Sequence, residues 1–93
     1  EITRNYDALI MPTVPTIAPI LDHLEKSDTA YHENNLLMLR NCSFGNFLDR
    51  CAISLPIHQL GEAPVGMMVM GNTGEDEKLL EVANSIERVV LNV

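Results

Sequence analysis

The sequence has little aromatic and little basic character. It has no tryptophan, two tyrosines, two phenylalanines, and six basic residues against thirteen acidic ones. With so few aromatic rings, a core must be built from leucine, isoleucine, valine and methionine. The formal net charge of −7 disfavours a surface that binds nucleic acid or an anionic membrane, because few cations are present to neutralise phosphates. We therefore expect no nucleic-acid partner.

Cysteine is scarce as well, and long apolar runs are missing. The two cysteines, Cys42 and Cys51, are too few for a disulfide framework, so a reducing, cytoplasmic setting is expected. No run approaches the ~20 apolar residues that a transmembrane helix requires, and we expect no membrane partner. The three histidines share no metal-binding spacing with the cysteines, and no glycine-rich phosphate-binding motif is present, so neither a metal nor an organic cofactor is predicted.

The sequence does contain enough apolar residues for a folded unit. Its 93 residues are 46% hydrophobic and 20% charged, values typical of globular proteins. We interpret residues 1–93 as a single segment. Because the chain starts at Glu1 and not at methionine, we expect this segment to belong to a longer protein.

Apolar runs and structure-breaking residues predict three short strands. The continuous apolar run at residues 8–11 is typical of a buried strand, and Pro12 would end it. Residues 51–57 and 65–70 are predicted to be two further strands. A loop of moderate length joins them, so we expect a hairpin.

Helices are predicted on both sides of this hairpin. Residues 29–39 follow several side chains that suit an N-cap, and residues 75–90 repeat apolar side chains at three- and four-residue steps. Thr73 with Asp76 resembles a capping box for the second helix. Residues 40–46 are predicted to form a break or a tight turn. Together these elements predict an α/β fold of short strands with packed helices.

The residues alone point to no nucleophilic site. Ser43 lacks the glycine frame of a nucleophile elbow, and Ser54, between two apolar residues, is better explained as a packed hydroxyl. Cys42 is a candidate reactive thiol beside Arg40, but a buried or pocket-lining residue is the preferred interpretation. No catalytic residue is predicted within the chain.

Four motifs in a fixed order resemble the C-terminal region of amidase signature enzymes. They are Tyr-Asp-Ala-Leu-Ile-Met-Pro-Thr-Val-Pro at 6–15, Arg-Asn-Cys-Ser-Phe-Gly-Asn at 40–46, Cys-Ala-Ile-Ser-Leu-Pro at 51–56 and Ala-Pro-Val-Gly-Met-Met-Val-Met-Gly at 63–71. The resemblance implies a C-terminal fragment of the amidase signature fold, a mixed sheet wrapped by helices. It also implies hydrolysis of the C–N bond of a carboxamide by a Ser-Ser-Lys triad in an upstream Gly/Ser-rich region that residues 1–93 lack.

The same resemblance implies where a substrate would lie. In this family the loop after the Pro-Thr strand and the segment before residue 46 commonly face the substrate, so Thr13, Val14, Cys42 and Asn46 are candidate substrate-binding residues. For Asn46 there is an alternative, in which the side chain holds a turn by bonding to the backbone. The sequence departs from the family at Cys42, where many members carry threonine, and at residues 49–51, where many carry Gly-Leu-Pro.

The fragment alone is expected to be inactive, and a small-molecule amide is the expected substrate of the longer protein. Two alternatives stay open. One is a non-catalytic α/β module that forms a homodimer through its strand edges. The other is an A-type subunit of a glutamyl-tRNA amidotransferase, which is less favoured because that branch carries an acidic residue where Leu39 stands.

Overall fold

The computed structural model describes residues 5–91, which form three strands and four helices. In chain order the elements are β1 (Leu9–Pro12), α1 (Leu21–Glu25), α2 (Asp28–Leu39), α3 (Cys42–Phe47), β2 (Ala52–Pro56), β3 (Gly66–Met70) and α4 (Asp76–Leu91). The predicted α/β fold of short strands and packed helices is confirmed. Among residues 5–91, no helix has both the length and the apolar character that crossing a membrane requires.

The three strands form one sheet in the order β1-β3-β2, with antiparallel pairing on both sides of β3. The predicted hairpin of β2 and β3 is confirmed, and β1 pairs with the other side of β3. Val69 in the middle of the sheet lies opposite Ile10 on one side and Ile53 on the other. Pro12 and Pro56 end the two outer strands, a position that proline tolerates because it has no N–H to donate.

One face of the sheet packs against α4. Val69 and Leu55 contribute to this face, and they cluster with Leu79 and Ala83 of the helix. Each of the four side chains is at most 5% exposed. Leu79 and Ala83 are four residues apart, so they lie one above the other on the same side of α4. The amphipathic helix predicted from the sequence is therefore confirmed, and its apolar stripe forms half of the core.

The opposite face of the sheet is covered near α3. Met70 is fully buried, and its Cε lies 3.5 Å from the point that a Cβ on Gly45 would occupy. Gly45 is itself buried, and a Cβ there would be in ordinary van der Waals contact with Met70, so α3 lies directly beside this face of the sheet. Methionine suits this space because its unbranched side chain fills irregular gaps.

The segment between α2 and β2 is more helical than predicted. The break expected at residues 40–46 is wrong, because most of these residues belong to α3. The helical hydrogen bonding does tighten there. The Arg40 N–H donates to the Leu37 carbonyl and the Phe44 N–H donates to the Asn41 carbonyl, each three residues earlier instead of four. Tertiary contacts made by Asn41 and Gly45 hold this glycine- and asparagine-containing segment in a helix that its intrinsic propensity does not favour.

The start of α4 is held differently from the predicted capping box. The Thr73 hydroxyl donates to the Asp49 carbonyl, which lies in the turn before β2. The Asn72 amide donates to the Glu75 carboxylate at 2.9 Å. The Thr73 bond connects the β3–α4 turn to the α3–β2 turn, and the Asn72 bond lies within the β3–α4 turn.

Asp49 has a left-handed backbone conformation, with a φ of 53°. A side chain in this region costs about 1–2 kcal/mol relative to the right-handed region, although aspartate tolerates it better than most residues. We expect Asp49→Gly to raise the free energy of unfolding by about 0.5–1 kcal/mol, because glycine has no Cβ to strain. Urea denaturation followed by circular dichroism measures the change.

Asp49→Asn is the matched control for this substitution, because it removes the negative charge and keeps the Cβ. We expect it to give a smaller gain than Asp49→Gly. An equal gain in the two variants would assign the effect to charge in this acidic chain and would contradict the explanation by backbone strain.

Candidate functional site

The candidate site is the corner where the chain leaves β1 beside the start of β3. The Thr13 N–H donates to the Gly66 carbonyl at 3.0 Å, so strand pairing extends one residue beyond β1. The prolines at residues 12, 15 and 19 then favour an extended chain that cannot continue in the sheet. The loop and the first residue of β3 thus form an open corner with Thr13 at its base.

Two residues at the start of α3 contact successive carbonyls at this corner. The Asn41 Nδ2 donates to the Pro12 carbonyl at 2.8 Å, and the Cys42 Sγ lies 3.7 Å from the Thr13 carbonyl. Asn41 is 6% exposed, and its Oδ1 accepts from the Arg40 Nε at 3.2 Å. A buried amide that is bonded through both its nitrogen and its oxygen is a well-satisfied anchor. The start of α3 therefore fixes the position of the end of β1.

Thr13 and Ser54 form a pair of hydroxyls beside Gly66. Their oxygens are 2.5 Å apart, and either hydroxyl is able to be the donor. A Cβ on residue 66 would lie 2.6 Å from the Ser54 Oγ and 2.9 Å from the Thr13 Oγ1, so the contact requires glycine there. Ser54 is exposed and Thr13 is half-buried. The pair is consequently within reach of a ligand at the surface.

Two open, mainly apolar cavities adjoin this corner, with volumes of about 320 Å³ and about 210 Å³. The larger is lined by Ile10, Met11, Pro12, Ile57, Val65, Gly66 and Met67. The smaller is lined by Pro12, Val14, Pro15, Thr16, Ile17, Pro64, Val65 and Gly66. Because Pro12, Val65 and Gly66 line both, the two cavities meet where β1 and β3 pair.

Three of the four residues predicted to bind substrate lie at this corner. Thr13 supplies a hydroxyl, Val14 lines the smaller cavity, and Cys42 contacts the Thr13 carbonyl. Asn46 lies further along α3 and is exposed. Its backbone carbonyl accepts from the Asp49 N–H at 3.3 Å, so the backbone, and not the side chain, makes the bond that closes the following turn. A substrate role for the four residues stays a prediction.

Three residues at the corner were missed by sequence reasoning: Asn41, Ser54 and Gly66. The prediction that Ser54 is a packed hydroxyl is wrong, because the residue is exposed and bonds to Thr13. A prediction of the hairpin register would have found Ser54 and Gly66, because the register places them on one face of neighbouring strands. No local signal marks Asn41, because its burial depends on a contact with a residue 29 positions earlier.

A second polar cluster lies at the other end of β3 and stabilises the fold. Arg50 donates from Nε to the Gly71 carbonyl at 2.9 Å and from Nη2 to the Asn72 Oδ1 at 2.8 Å. The Cys51 Sγ lies 3.2 Å from the Asn72 carbonyl. The cluster therefore ties β2 to the turn before α4. Within the described range 5–91, no group of three His, Cys, Asp or Glu residues is placed to hold a metal ion.

Comparison with known proteins identifies the family. The amidase family matches residues 1–80 of the chain, which therefore belongs to this family. The resemblance to amidase signature enzymes seen in the four sequence motifs is thereby confirmed. No solved structure matches the chain significantly.

The chain is similar to several curated relatives that are much longer. It is 31% identical over 87 residues to a 2-amino-5-chloromuconic acid deaminase of Comamonas testosteroni, covering 92% of this chain and 19% of the deaminase. It is 28% identical over 89 residues to the A-type subunit of the glutamyl-tRNA(Gln) amidotransferase of Sulfolobus acidocaldarius, covering 96% of this chain and 18% of that relative. An uncharacterized protein in the nthA 5' region of Rhodococcus erythropolis is 28% identical over 86 residues, which are 92% of this chain and 43% of that protein.

Proposed function

We propose that this chain is the substrate-facing, C-terminal part of an amidase-family hydrolase that cleaves the C–N bond of a small carboxamide. The family match over residues 1–80 carries the proposal. In this proposal Thr13, Val14, Cys42 and Asn46 lie on the wall that the substrate contacts. The corner supports this assignment for Thr13, Val14 and Cys42, because polar groups near apolar cavities are typical of small-molecule sites, whereas Asn46 lies further along α3.

The nucleophile and base are proposed to come from outside these 93 residues. The chain contains two lysines, Lys26 and Lys78, and neither lies in a Gly/Ser-rich segment of the kind that carries the family's triad. The Lys78 Nζ lies 3.4 Å from an Asp7 carboxylate oxygen and 3.7 Å from a Glu75 carboxylate oxygen. Lys78 therefore lies beside two carboxylates at the start of α4, in partly exposed ion pairs of the kind that contribute little to stability.

The proposal is tested on the natural polypeptide that carries these 93 residues. We expect it to release ammonia from at least one of acetamide, propionamide and benzamide above a control without protein. The isolated 93-residue chain is the matched control and should release none. Hydrolysis by the isolated chain would contradict the proposal that the nucleophile lies outside it. If the natural polypeptide hydrolysed none of the three amides, the assigned activity would be overturned.

The A-type subunit of a tRNA-dependent amidotransferase is the second candidate, because the match to the Sulfolobus acidocaldarius protein extends over 96% of this chain. Leu39, where the resemblance implies an acidic residue for that branch, is 53% exposed on α2 and weighs against it. The two candidates differ in what they require. Release of ammonia from glutamine only in the presence of partner chains and glutamyl-tRNA would favour the amidotransferase, whereas hydrolysis of simple amides without partners would favour the hydrolase.

Homodimer formation by the 93-residue chain is a further proposal, supported by its strand edges. Within the described residues, β1 and β2 each have a strand partner on one side only. Apolar side chains near these edges and on α3 are open, with Ile10 58% exposed and Phe47 89% exposed. Unpaired edges with apolar neighbours favour association with a second copy. Sedimentation of the chain as a folded monomer would contradict this proposal.

A further inference from the structure

We infer that the hydroxyl pair of Thr13 and Ser54 is a ligand-binding site for an acceptor oxygen of a carboxamide or a carboxylate. The inference rests on the proposed function, because it names the group that would orient an amide at the corner beside Gly66. Ser54 is the new member of the site, since its hydroxyl meets that of Thr13 only after the strands have paired.

The pair has one hydrogen that no group among residues 5–91 accepts. Each hydroxyl has one hydrogen to donate, and the contact at 2.5 Å uses one of the two. Neither oxygen has another hydrogen-bond partner within the part of the chain that the structure describes. Whichever hydroxyl accepts in the pair therefore keeps its own hydrogen for an outside acceptor. Donation within the pair also polarises the accepting hydroxyl and makes it a better donor.

Both hydroxyls are held on elements that do not need to reorganise. Ser54 lies in the middle of β2, and Thr13 is fixed by the bond from its N–H to the Gly66 carbonyl at 3.0 Å. The Thr13 carbonyl is contacted in turn by Cys42 of α3. Donors fixed in this way bind an acceptor without a large cost for ordering side chains.

Gly66 determines what the pair is able to bind. It supplies no side chain to cover the two oxygens, and it lines both apolar cavities together with Pro12 and Val65. The linings of the two cavities include neither Thr13 nor Ser54, so what the pair itself offers a small amide is a polar point for the carbonyl oxygen. The product carboxylate offers the same kind of acceptor, so we expect it to bind as a competitive inhibitor.

The test compares Thr13→Val and Ser54→Ala with the unchanged natural polypeptide, using propionamide as the substrate. Each variant removes one hydroxyl and is expected to raise KM about three- to tenfold, the loss of one ordinary hydrogen bond. We expect kcat to change less than about twofold, because the bond is made to substrate and transition state alike. Thr13→Ser keeps the hydroxyl and should retain the original KM. Far-UV circular dichroism confirms that each variant is folded.

Gly66→Ala gives a second, independent arm. Its Cβ would force the two oxygens apart, so we expect a KM increase similar to that of Ser54→Ala. An unchanged KM in both hydroxyl variants, with normal hydrolysis by the unchanged polypeptide, would overturn the inference and leave the proposed function intact.

Absence of hydrolysis by the unchanged polypeptide would instead overturn the proposed function. The inference is then decided by NMR titration with propionamide. Shifts of the Thr13 and Ser54 amide resonances that disappear in Ser54→Ala would support the site, and absence of shifts in the unchanged polypeptide would overturn it.

Discussion

Replacing Leu79 by alanine is expected to lower the free energy of unfolding by about 2–5 kcal/mol. Leu79 is 5% exposed, and it belongs to the cluster that joins α4 to Leu55 and Val69 of the sheet. Alanine would lose the transfer free energy of the removed carbons and leave a cavity that the paired strands prevent from closing. Because a domain is stabilised by only about 5–15 kcal/mol in total, the change should be plain in a urea denaturation curve.

Leu80→Ala is the matched control, since the same residue type at the next position of the same helix is 58% exposed. We expect this variant to differ from the unchanged chain by no more than about 0.5 kcal/mol. The better helix propensity of alanine would offset the few contacts that Leu80 loses. If both variants lost a comparable free energy of unfolding, the side of α4 that carries Leu79 would not be the side that packs against the sheet.

The elements that the sequence predicted correctly are those whose signal is local. α4 repeats apolar residues at helical spacing, and its structure buries that repeat against the sheet at Leu79 and Ala83. The β2–β3 hairpin follows from two apolar runs and the loop between them. In each case the residues that specify the element lie within the element or its turn, so periodicity is sufficient to find it.

The elements that the sequence did not predict depend on distant contacts. α3 contains glycine and asparagine, which favour a break, yet Gly45 is buried beside Met70 and Asn41 bonds to the Pro12 carbonyl of β1. The strand order also depends on distant contacts, because nothing within β1 specifies that it pairs with β3. Interactions between segments far apart in the chain override local propensity at these places.

The residues of the candidate site also differ in how far the sequence could predict them. Thr13, Val14 and Cys42 were implied by resemblance to a family, and the structure places them at one corner. Ser54 and Gly66 join that corner only through strand register. A family resemblance thus named three residues that share one corner, but the paired strands were needed to show which hydroxyls meet there.

The two contacts from the start of α3 to the end of β1 are unequal. The Cys42 Sγ lies 3.7 Å from the Thr13 carbonyl and is a weak donor, whereas the Asn41 Nδ2 lies 2.8 Å from the Pro12 carbonyl. Threonine, which many family members carry in place of Cys42, has a hydroxyl that donates more strongly. In this chain Asn41 therefore carries most of the attachment between α3 and β1.

Asn41→Ala is accordingly expected to lower the free energy of unfolding by about 1–3 kcal/mol, the cost of leaving a bonded polar group without its partner. The loss should be accompanied by faster amide hydrogen exchange at Thr13, whose N–H bonds to Gly66 only while the end of β1 stays in place. Urea denaturation measures the first effect, and NMR-detected exchange measures the second.

Asn46→Ala is the matched control, because it removes the same amide from an exposed position on α3, and we expect a change within about 0.5 kcal/mol. Asn41→Asp keeps the size of the side chain but replaces the donating nitrogen by an oxygen that faces the Pro12 carbonyl. It should therefore destabilise the fold at least as much as Asn41→Ala does. If Asn41→Ala and Asn46→Ala had the same small effect, the end of β1 would be held by strand pairing alone, and Asn41 would not be the residue that positions Thr13.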